Sequence, residues 1–332
     1  MTTDSLQWRP TASRQRLIQR AELLAQLRHF FAQRAVMEVD TPILQRAVAP
    51  DLHIDPICCE HAGLPSLHGE GGQAGYLHTS PETAMKRLLA AGSGDIYYLG
   101  KVFRLEEHGP RHNGEFTMLE WYRVGWSLEQ LQQEVLQLVE QTLELPGADL
   151  ASASMSYAEA FEQAGLSNPL TSDLARLLED CQRLQLTPPG GLSRLELLDW
   201  LQLERVEPLL AKLSGPVLIH SFPPERAAMA CVSPGPPSTA LRFELYYRGV
   251  ELANGYQELT DAAEQRRRLQ KANGERLQLG RAALPVDEAF LAAMEAGLPS
   301  MSGVALGVDR LLMIKCDVAT IAEVLPFAGH VA

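Results

Sequence analysis

KVFRLEEHGPRHNGEFTMLEWYR, Lys101–Arg123, reads as two strands around a polar loop. β-Branched and aromatic residues fill the arms, Tyr97 to Phe103 and Phe116 to Tyr122, and Gly109, Pro110 and Gly114 supply turn chemistry. A β-hairpin with a long tip is expected. Arg104, Glu106, Arg111, His112, Asn113 and Glu120 all sit on it, and any charge facing inward must find a partner or change its ionisation. Two arginines and a histidine can hold phosphate oxygens by charge-assisted hydrogen bonds, while Phe116 offers a flat apolar face to a base. The same residues also suit a solvated hairpin with surface ion pairs, since charge-rich loops are common.

The 332-residue chain is 46% hydrophobic, enough for the core of one large domain or two ordinary ones. Five cysteines, with Cys58 and Cys59 adjacent, do not suggest a disulfide framework, so a reducing cytoplasm is expected. The start, MTTDSLQWRP, lacks the features of a signal peptide, and no stretch reaches membrane-spanning length. With 29 Lys+Arg against 41 Asp+Glu, the formal charge of -12 opposes broad attraction to nucleic acid and favours a cationic substrate or partner patch.

Outward from the hairpin, Thr11 to Arg34 carries Leu17, Ile18, Leu24, Leu27, Phe30 and Phe31 near helical spacing, with Thr11 or Ser13 as N-cap. The following VMEVDTPIL suggests a strand through Val36, Val39, Ile43 and Leu44, restricted by Pro42 to an edge or a start. A helix feeding an edge strand suits a dimer seam as well as packing within one domain. Residues 58–74 read as a loop or ragged hairpin, and His53, Cys58, Cys59, His61 and His68 match no standard zinc spacing. In YLHTSPETAMKRLLAAG, Ser80 is the expected N-cap, Pro81 the first helical residue and Glu82 a first-turn carboxylate, either favoured by the dipole or aimed at a substrate amine. Ser127 to Leu145 predicts another amphipathic helix. The region at about 145–214 reads as a helical insertion without obvious chemistry, and Pro216 to His220 as a buried strand.

Leu241–Leu259, LRFELYYRGVELANGYQEL, predicts a second hairpin turning at Arg248 and Gly249. A two-residue turn makes Glu244 and Glu251 diagonal neighbours on one face, roughly 7–8 Å apart, a spacing that suits magnesium completed by phosphate oxygens. Asn254 and Glu258 follow, and Glu258 with Glu82, Glu120 and Tyr122 would form an acidic pocket for an amine-bearing substrate. In SGVALGVDRLLMI, Ser302–Ile314, small residues give way to a helix starting near Val308 or Asp309. Gly303, Ala305 and Gly307 let a ligand approach the backbone, and Arg310 reaches the anion a helix N-terminus attracts; close helix-to-sheet packing explains the glycines as well.

Together these stretches resemble the catalytic domain of class II aminoacyl-tRNA synthetases over nearly the whole chain. The first helix, strand and Pro42 resemble its first signature, FRLE (Phe103–Glu106) through RHNGEF (Arg111–Phe116) its second, and GVDR (Gly307–Arg310) its third. TSPE (Thr79–Glu82), EFTMLEWY (Glu115–Tyr122) and ELANGYQELTDA (Glu251–Ala262) resemble the lysyl branch. About ten residues precede the first helix, so the N-terminal anticodon-binding β-barrel of lysyl-tRNA synthetases is not expected, nor a tRNA partner. That feature, the acidic charge, and Ala305 where lysyl-tRNA synthetases carry glycine resemble the stand-alone relatives that modify bacterial translation elongation factor P with (R)-β-lysine. The resemblance implies one α+β domain over residues 1–332, an antiparallel sheet flanked by helices with the insertion at about 145–214, working as a cytoplasmic homodimer without membrane attachment.

It further implies a ligase using ATP and Mg2+: adenylation of (R)-β-lysine or lysine, then amide formation on a lysine side chain of elongation factor P. Arg104 and Arg310 would be catalytic, Arg104 meeting the α-phosphate and the substrate carboxylate. Glu106 and Asn113 would hold adenine and ribose edges, with Leu105, Leu252 and Gly307 alongside. Phe116 and Arg310 would sandwich the adenine ring, Arg111 and His112 would reach the distal phosphates, and Glu244 and Glu251 would hold magnesium. Ser80, Pro81, Glu82, Tyr122, Asn254, Glu258 and Ala305 would surround the amino acid, with Glu82, Tyr122, Asn254 and Glu258 receiving its two amino groups. Leu105 stands where the family pattern FRNE has Asn, and Gly114 where HNPEF has Pro, departures that bear on loop shape. The alternatives are a truncated lysyl-tRNA synthetase, another amide ligase using lysyl-adenylate, and a catalytically silent regulatory paralog. Intact Arg104, Glu244, Glu251 and Arg310 oppose the last.

Overall fold

Helix α1 (Arg14–Ala32) begins where Ser13 Oγ accepts a hydrogen bond from Arg16 N at 3.3 Å. Thr11, the other cap candidate, instead donates to Leu325 O at 2.7 Å and ties the two ends of the chain together. The computed structural model describes residues 8–52, 54–65, 72–105, 107–147 and 154–329, with the backbone alone at 61–65, 72 and 73. Glu106, His53, His68 and the His61 side chain lie outside the described residues. On α1 the buried stripe is Leu23, Leu27, Phe30 and Phe31. Phe31 stacks on Tyr97 with ring centres 4.5 Å apart and meets Trp121 edge-on at 5.3 Å, a burial that contributes about 1.5–3 kcal/mol.

Pro42 has no N–H to offer a ladder, and the single strand expected over VMEVDTPIL is two short ones, β1 (Met37–Glu38) and β2 (Leu44–Gln45). Next, β3 (Ile57–Pro65) and β4 (Gly72–Leu77) pair antiparallel with a bulge, and β2 completes a three-stranded sheet in the order β2-β4-β3. Helix α2 (Glu82–Ala90) leads into the long-tipped hairpin of β5 (Ile96–Phe103) and β6 (Glu115–Val124). A reciprocal Ser127–Gln130 capping box then starts α3 (Leu128–Leu143).

The segment read as an insertion holds β7 (Ser154–Ser156) and helices α4 (Tyr157–Gln163), α5 (Leu174–Arg183), α6 (Arg194–Leu201) and α7 (Glu207–Leu210). A π-helical turn, Gln202–Val206, joins the last two. Tyr157, Phe161, Leu177, Leu197 and Leu201 form a core of their own against Val217, Ile219 and Phe222 of β8 (Val217–Phe222). Hairpin β9 (Ala240–Tyr247) and β10 (Val250–Gln257) is followed by α8 (Ala262–Gln278), α9 (Glu288–Gly297), β11 (Met301–Gly307) and α10 (Val308–Lys315).

The main sheet runs β1-β5-β6-β11-β10-β9-β8-β7, antiparallel except at its outer pairs β1/β5 and β8/β7. Alternate residues of each strand point to opposite faces. On one face Leu119, Trp121, Val304, Leu306, Leu245 and Ala253 join the buried residues of α1, α3 and α10 in the largest core. The other face of β6, β11, β10 and β9 carries the polar residues of the site.

Candidate active site

Strand register builds the site floor. Gly303 of β11 lies between Tyr122 of β6 and Tyr256 of β10, Ala305 lies between Glu120 and Asn254, and Gly307 stands opposite Met118. Small side chains in the middle strand thus leave room between taller neighbours, and a cavity of about 530 Å3 opens above them. The β9–β10 turn uses Arg248 at φ 52° and Gly249 at φ 68°, the positive pair of a type I′ hairpin. Glu251 opposes Tyr246, but the ladder then skips Leu252 and pairs Ala253 with Leu245 and Asn254 with Glu244. This bulge turns Asn254 to the same face as Glu251, which strict alternation would forbid. Glu244 and Glu251 are diagonal on that face.

One end of the cavity is cationic. Arg310, in the first turn of α10, donates from Nη1 to Glu251 O at 3.0 Å and from Nη2 to His112 Nε2 at 2.6 Å. His112 is therefore an acceptor there, and burial, then the Arg310 charge, hold its pKa below the usual imidazole range. In this arrangement it is neutral and fixes Arg310 rather than adding a cation. Arg111 Nη1 donates to Gly249 O at 3.1 Å and draws the long loop onto the second hairpin. The Arg104 guanidinium lies 5.0 Å from the centre of the Phe116 ring, and its buried Nε has no hydrogen-bond partner among the described residues. An anion fits that place. Asn113 does scaffold work as well, with Nδ2 donating to Glu115 O at 2.7 Å and Oδ1 accepting from Gly329 N at 2.9 Å.

The other end is acidic. Ser80 Oγ accepts from Glu82 N at 3.0 Å and donates to Glu120 Oε2 at 2.7 Å, while Tyr122 OH donates to Glu120 Oε1 at 2.7 Å. Burial, then the charge of Glu82, pushes Glu120 up to about 8. Burial likewise pushes Glu258 up to about 7, against the pull of Lys86. Lys86 escaped the sequence reading. It is fully buried on α2, with Nζ 2.6 Å from both Glu82 Oε1 and Glu258 Oε2. The four-residue spacing from Glu82 was a usable signal for one of these contacts; the other joins residues far apart in the chain and had none.

On the cavity wall are Ser80, Glu82, Arg104, Arg111, His112, Asn113, Phe116 and Tyr122, with Glu251, Leu252, Asn254, Glu258, Ala305, Gly307 and Arg310. Three expected residues are set apart. Pro81 is buried and is itself the N-cap of α2, whose first helical residue is Glu82, so the cap stands one residue later than the expected Ser80. Leu105 turns its side chain to solvent while its N donates to Asp55 O at 2.8 Å. Glu244 stands behind Arg242, accepting from that arginine and from Tyr246 OH at 2.6 Å. Arg242 lines the cavity and also donates to Asn254 Oδ1 at 3.2 Å. The insertion is not chemically blank either: Glu207 of α7 is pushed up to about 7 by burial and then by Glu251 and Glu244.

Among the described residues no three His, Cys, Asp or Glu side chains gather as a metal cage. A magnesium ion needs fewer, one or two carboxylates with phosphate oxygens completing its shell. Glu251 fits this role with Glu244 behind it: burial, then the Glu244 charge, raises the Glu251 pKa, a repulsion that a divalent cation relieves.

The three signatures meet on one mainly antiparallel sheet, and residues 1–330 match the model of the class II tRNA synthetases (D, K and N), the family to which the chain belongs. Within that family its relatives include elongation factor P–(R)-β-lysine ligases. The one from Haemophilus influenzae (strain PittGG) is 43% identical over 321 residues, 97% of each chain. That of Proteus mirabilis (strain HI4320) is 44% identical over 322 residues, 96% of this chain and 97% of the relative. That of Edwardsiella ictaluri (strain 93-146) is 44% identical over 328 residues, 98% of each.

Proposed function

We propose that the protein activates (R)-β-lysine with ATP and joins it by an amide bond to a lysine side chain of translation elongation factor P. The observation that carries this reading is one cavity with two unlike ends. Arginines and Phe116 stand at one, and three carboxylates with Tyr122 at the other, an arrangement suited to a nucleotide meeting a diamino acid. The shared name of the relatives supports the choice of amino acid and acceptor.

In the first step the amino-acid carboxylate attacks the α-phosphorus, and the bond to the pyrophosphate oxygen breaks. Arg104 and Arg310 neutralise charge on the transferring phosphoryl group, and Phe116 supports the base. Glu82, Glu258 and Tyr122 hold the amino groups, which orients the carboxylate before attack. Glu251, with Glu244 behind it, would hold magnesium, which when bound supplies positive charge to phosphate oxygens. In the second step the acceptor amine attacks the carbonyl of the mixed anhydride and AMP leaves, without a covalent enzyme intermediate. Ala305 lies between Glu120 and Asn254, so its methyl group shapes the floor under the amino acid. Helix α1 and edge strand β1, with Met37 50% exposed, suit a homodimer seam. No helix among the described residues is long and apolar enough to cross a membrane, and we assign the activity to the cytoplasm, where translation takes place.

The test is amino-acid-dependent ATP–pyrophosphate exchange with α-lysine and each β-lysine enantiomer, followed by mass spectrometry of elongation factor P and a parallel assay with tRNA. Preferential exchange with (R)-β-lysine and a gain of one lysyl unit on the factor is expected. No exchange with any isomer would overturn the reading, and charging of tRNA alone would replace it with a synthetase. Gly303 offers a local check, because a methyl group there would overlap the Tyr122 ring and come within 2.5 Å of Glu258 Oε1. Gly303→Ala is expected to raise KM for the amino acid roughly tenfold or more, as a loss of about 1.4 kcal/mol in binding requires, while KM for ATP stays near wild type.

A further inference from the structure

Lys86 stands among groups assigned above to substrate amines, yet it is itself an amine. Its side chain is 0% exposed, and its ammonium bridges one oxygen of Glu82 and one of Glu258. The second Glu258 oxygen, Oε1, lies over Gly303 on the cavity floor, and Glu82 keeps 18% of its side chain exposed. Glu120, held by Ser80 and Tyr122, completes the acidic end. Three carboxylates and one ammonium leave two negative charges unmatched. A diamino acid brings two ammonium groups.

We propose that Lys86 is the internal counter-ion that sets the charge of this pocket, cancelling one of its three carboxylates so that two remain for a substrate with two ammonium groups, whose entry then releases protons. The proposal rests on the amino-acid reading above and extends it to the origin of selectivity. Lys86 acts through Glu82 and Glu258 and is a positioning residue. Buried carboxylates facing one another cannot all ionise in an empty pocket: burial first, then the charge of Glu82, raises Glu120 to about 8, and burial raises Glu258 to about 7 against the pull of Lys86, with Glu82 adding to it. Glu258, followed by Glu82, overcomes burial to raise the Lys86 pKa, so the lysine stays charged. Around them, burial first of all raises the pKa values of Tyr122, Tyr256 and Tyr98, and these phenols stay neutral near pH 7. Burial also raises the Cys231 thiol. Glu120 and Glu258 are then the proton source when ammonium groups arrive.

Titration calorimetry of the intact protein with (R)-β-lysine at pH 7, in buffers of different ionisation enthalpy, is expected to show net release of about one proton. 6-Aminohexanoate, with a single ammonium group, is expected to release fewer. KM for the diamino acid should fall as pH rises from 6.5 and level off near 8. Lys86→Met removes the counter-ion and is expected to move that levelling point up by about one pH unit or more, raising KM roughly tenfold at pH 7 with kcat little changed. Lys86→Arg, which keeps the charge, is expected to keep the wild-type pH profile. Equal proton counts for the two ligands would overturn the proposal, as would a Lys86→Met profile superimposable on wild type. If Lys86→Met does not fold, the two-ligand comparison on wild type decides alone. Absence of exchange with every lysine isomer would instead sink the functional reading, which separates the two failures.

Discussion

Alanine in place of Arg310 is expected to lower kcat/KM for ATP in pyrophosphate exchange by roughly 10²–10³-fold, the range seen when a charge-stabilising donor is removed from an active site. Arg310 contributes geometry as well as charge. Arg310 touches Glu251 O, His112 Nε2 and, at 3.4 Å, Arg111 O, so one side chain fixes the third signature against the second and against the β9–β10 hairpin. Its loss removes a cation and frees the loop that carries Arg111. Arg310→Lys keeps the charge but not the planar fork and is expected to fall between the two. Steady-state exchange across ATP concentrations, with circular dichroism as a control for folding, is the measurement. An alanine variant within threefold of wild type would remove Arg310 from the catalytic machinery.

The second large effect is on stability. Asp309 is 1% exposed, and its carboxylate accepts from Arg20 Nη1 and, at 2.7 Å, from Thr117 N. Arg20 also donates to Thr117 Oγ1 at 2.6 Å. One buried ion pair therefore pins α1, β6 and α10 at the place where the three signatures meet. Asp309→Ala leaves the Arg20 charge buried and unpaired, and a loss of about 3–5 kcal/mol of unfolding free energy is expected in urea titration. Arg20→Met should cost a similar amount by stranding the carboxylate. Removing both charges as Arg20→Met with Asp309→Leu should cost less than the two single losses added, because neither charge is then stranded. Single losses below 1 kcal/mol would show that the pair is not buried as described.

Much of the fold was legible because its signals are local. Ser13 caps α1 where a Ser in front of apolar periodicity announces a helix, and Arg248-Gly249 makes the tight turn that places Glu244 and Glu251 on one face. Pro42 punctuates the chain where its missing N–H predicts, though two short strands stand where one was expected. Residues 57–65 and 72–77 form a bulged strand pair, which Gly-, His- and Ser-rich composition does not distinguish from a loop. Leu105 read as a site residue by its place in FRLE, yet its side chain faces solvent, because motif membership does not settle which way a loop residue points.

By itself the sequence determined the residue types at the site, their order and the local elements that carry them. Strand alternation, turn chemistry and capping depend on neighbours a few residues away, and those are written in the chain. Only the tertiary structure decided the rest. The bulge at Leu252 turns Asn254 to the face of Glu251, Lys86 is shared between Glu82 and Glu258, Glu207 of α7 comes close enough to feel the charges of Glu251 and Glu244, and Gly329 closes on Asn113. Each of these joins segments through packing against a common sheet, and the ionisation of Glu120 and Glu258 follows first from how deeply that packing buries them and then from the charges it brings beside them. Burial and long-range pairing are properties of the folded arrangement, and no local pattern encodes them.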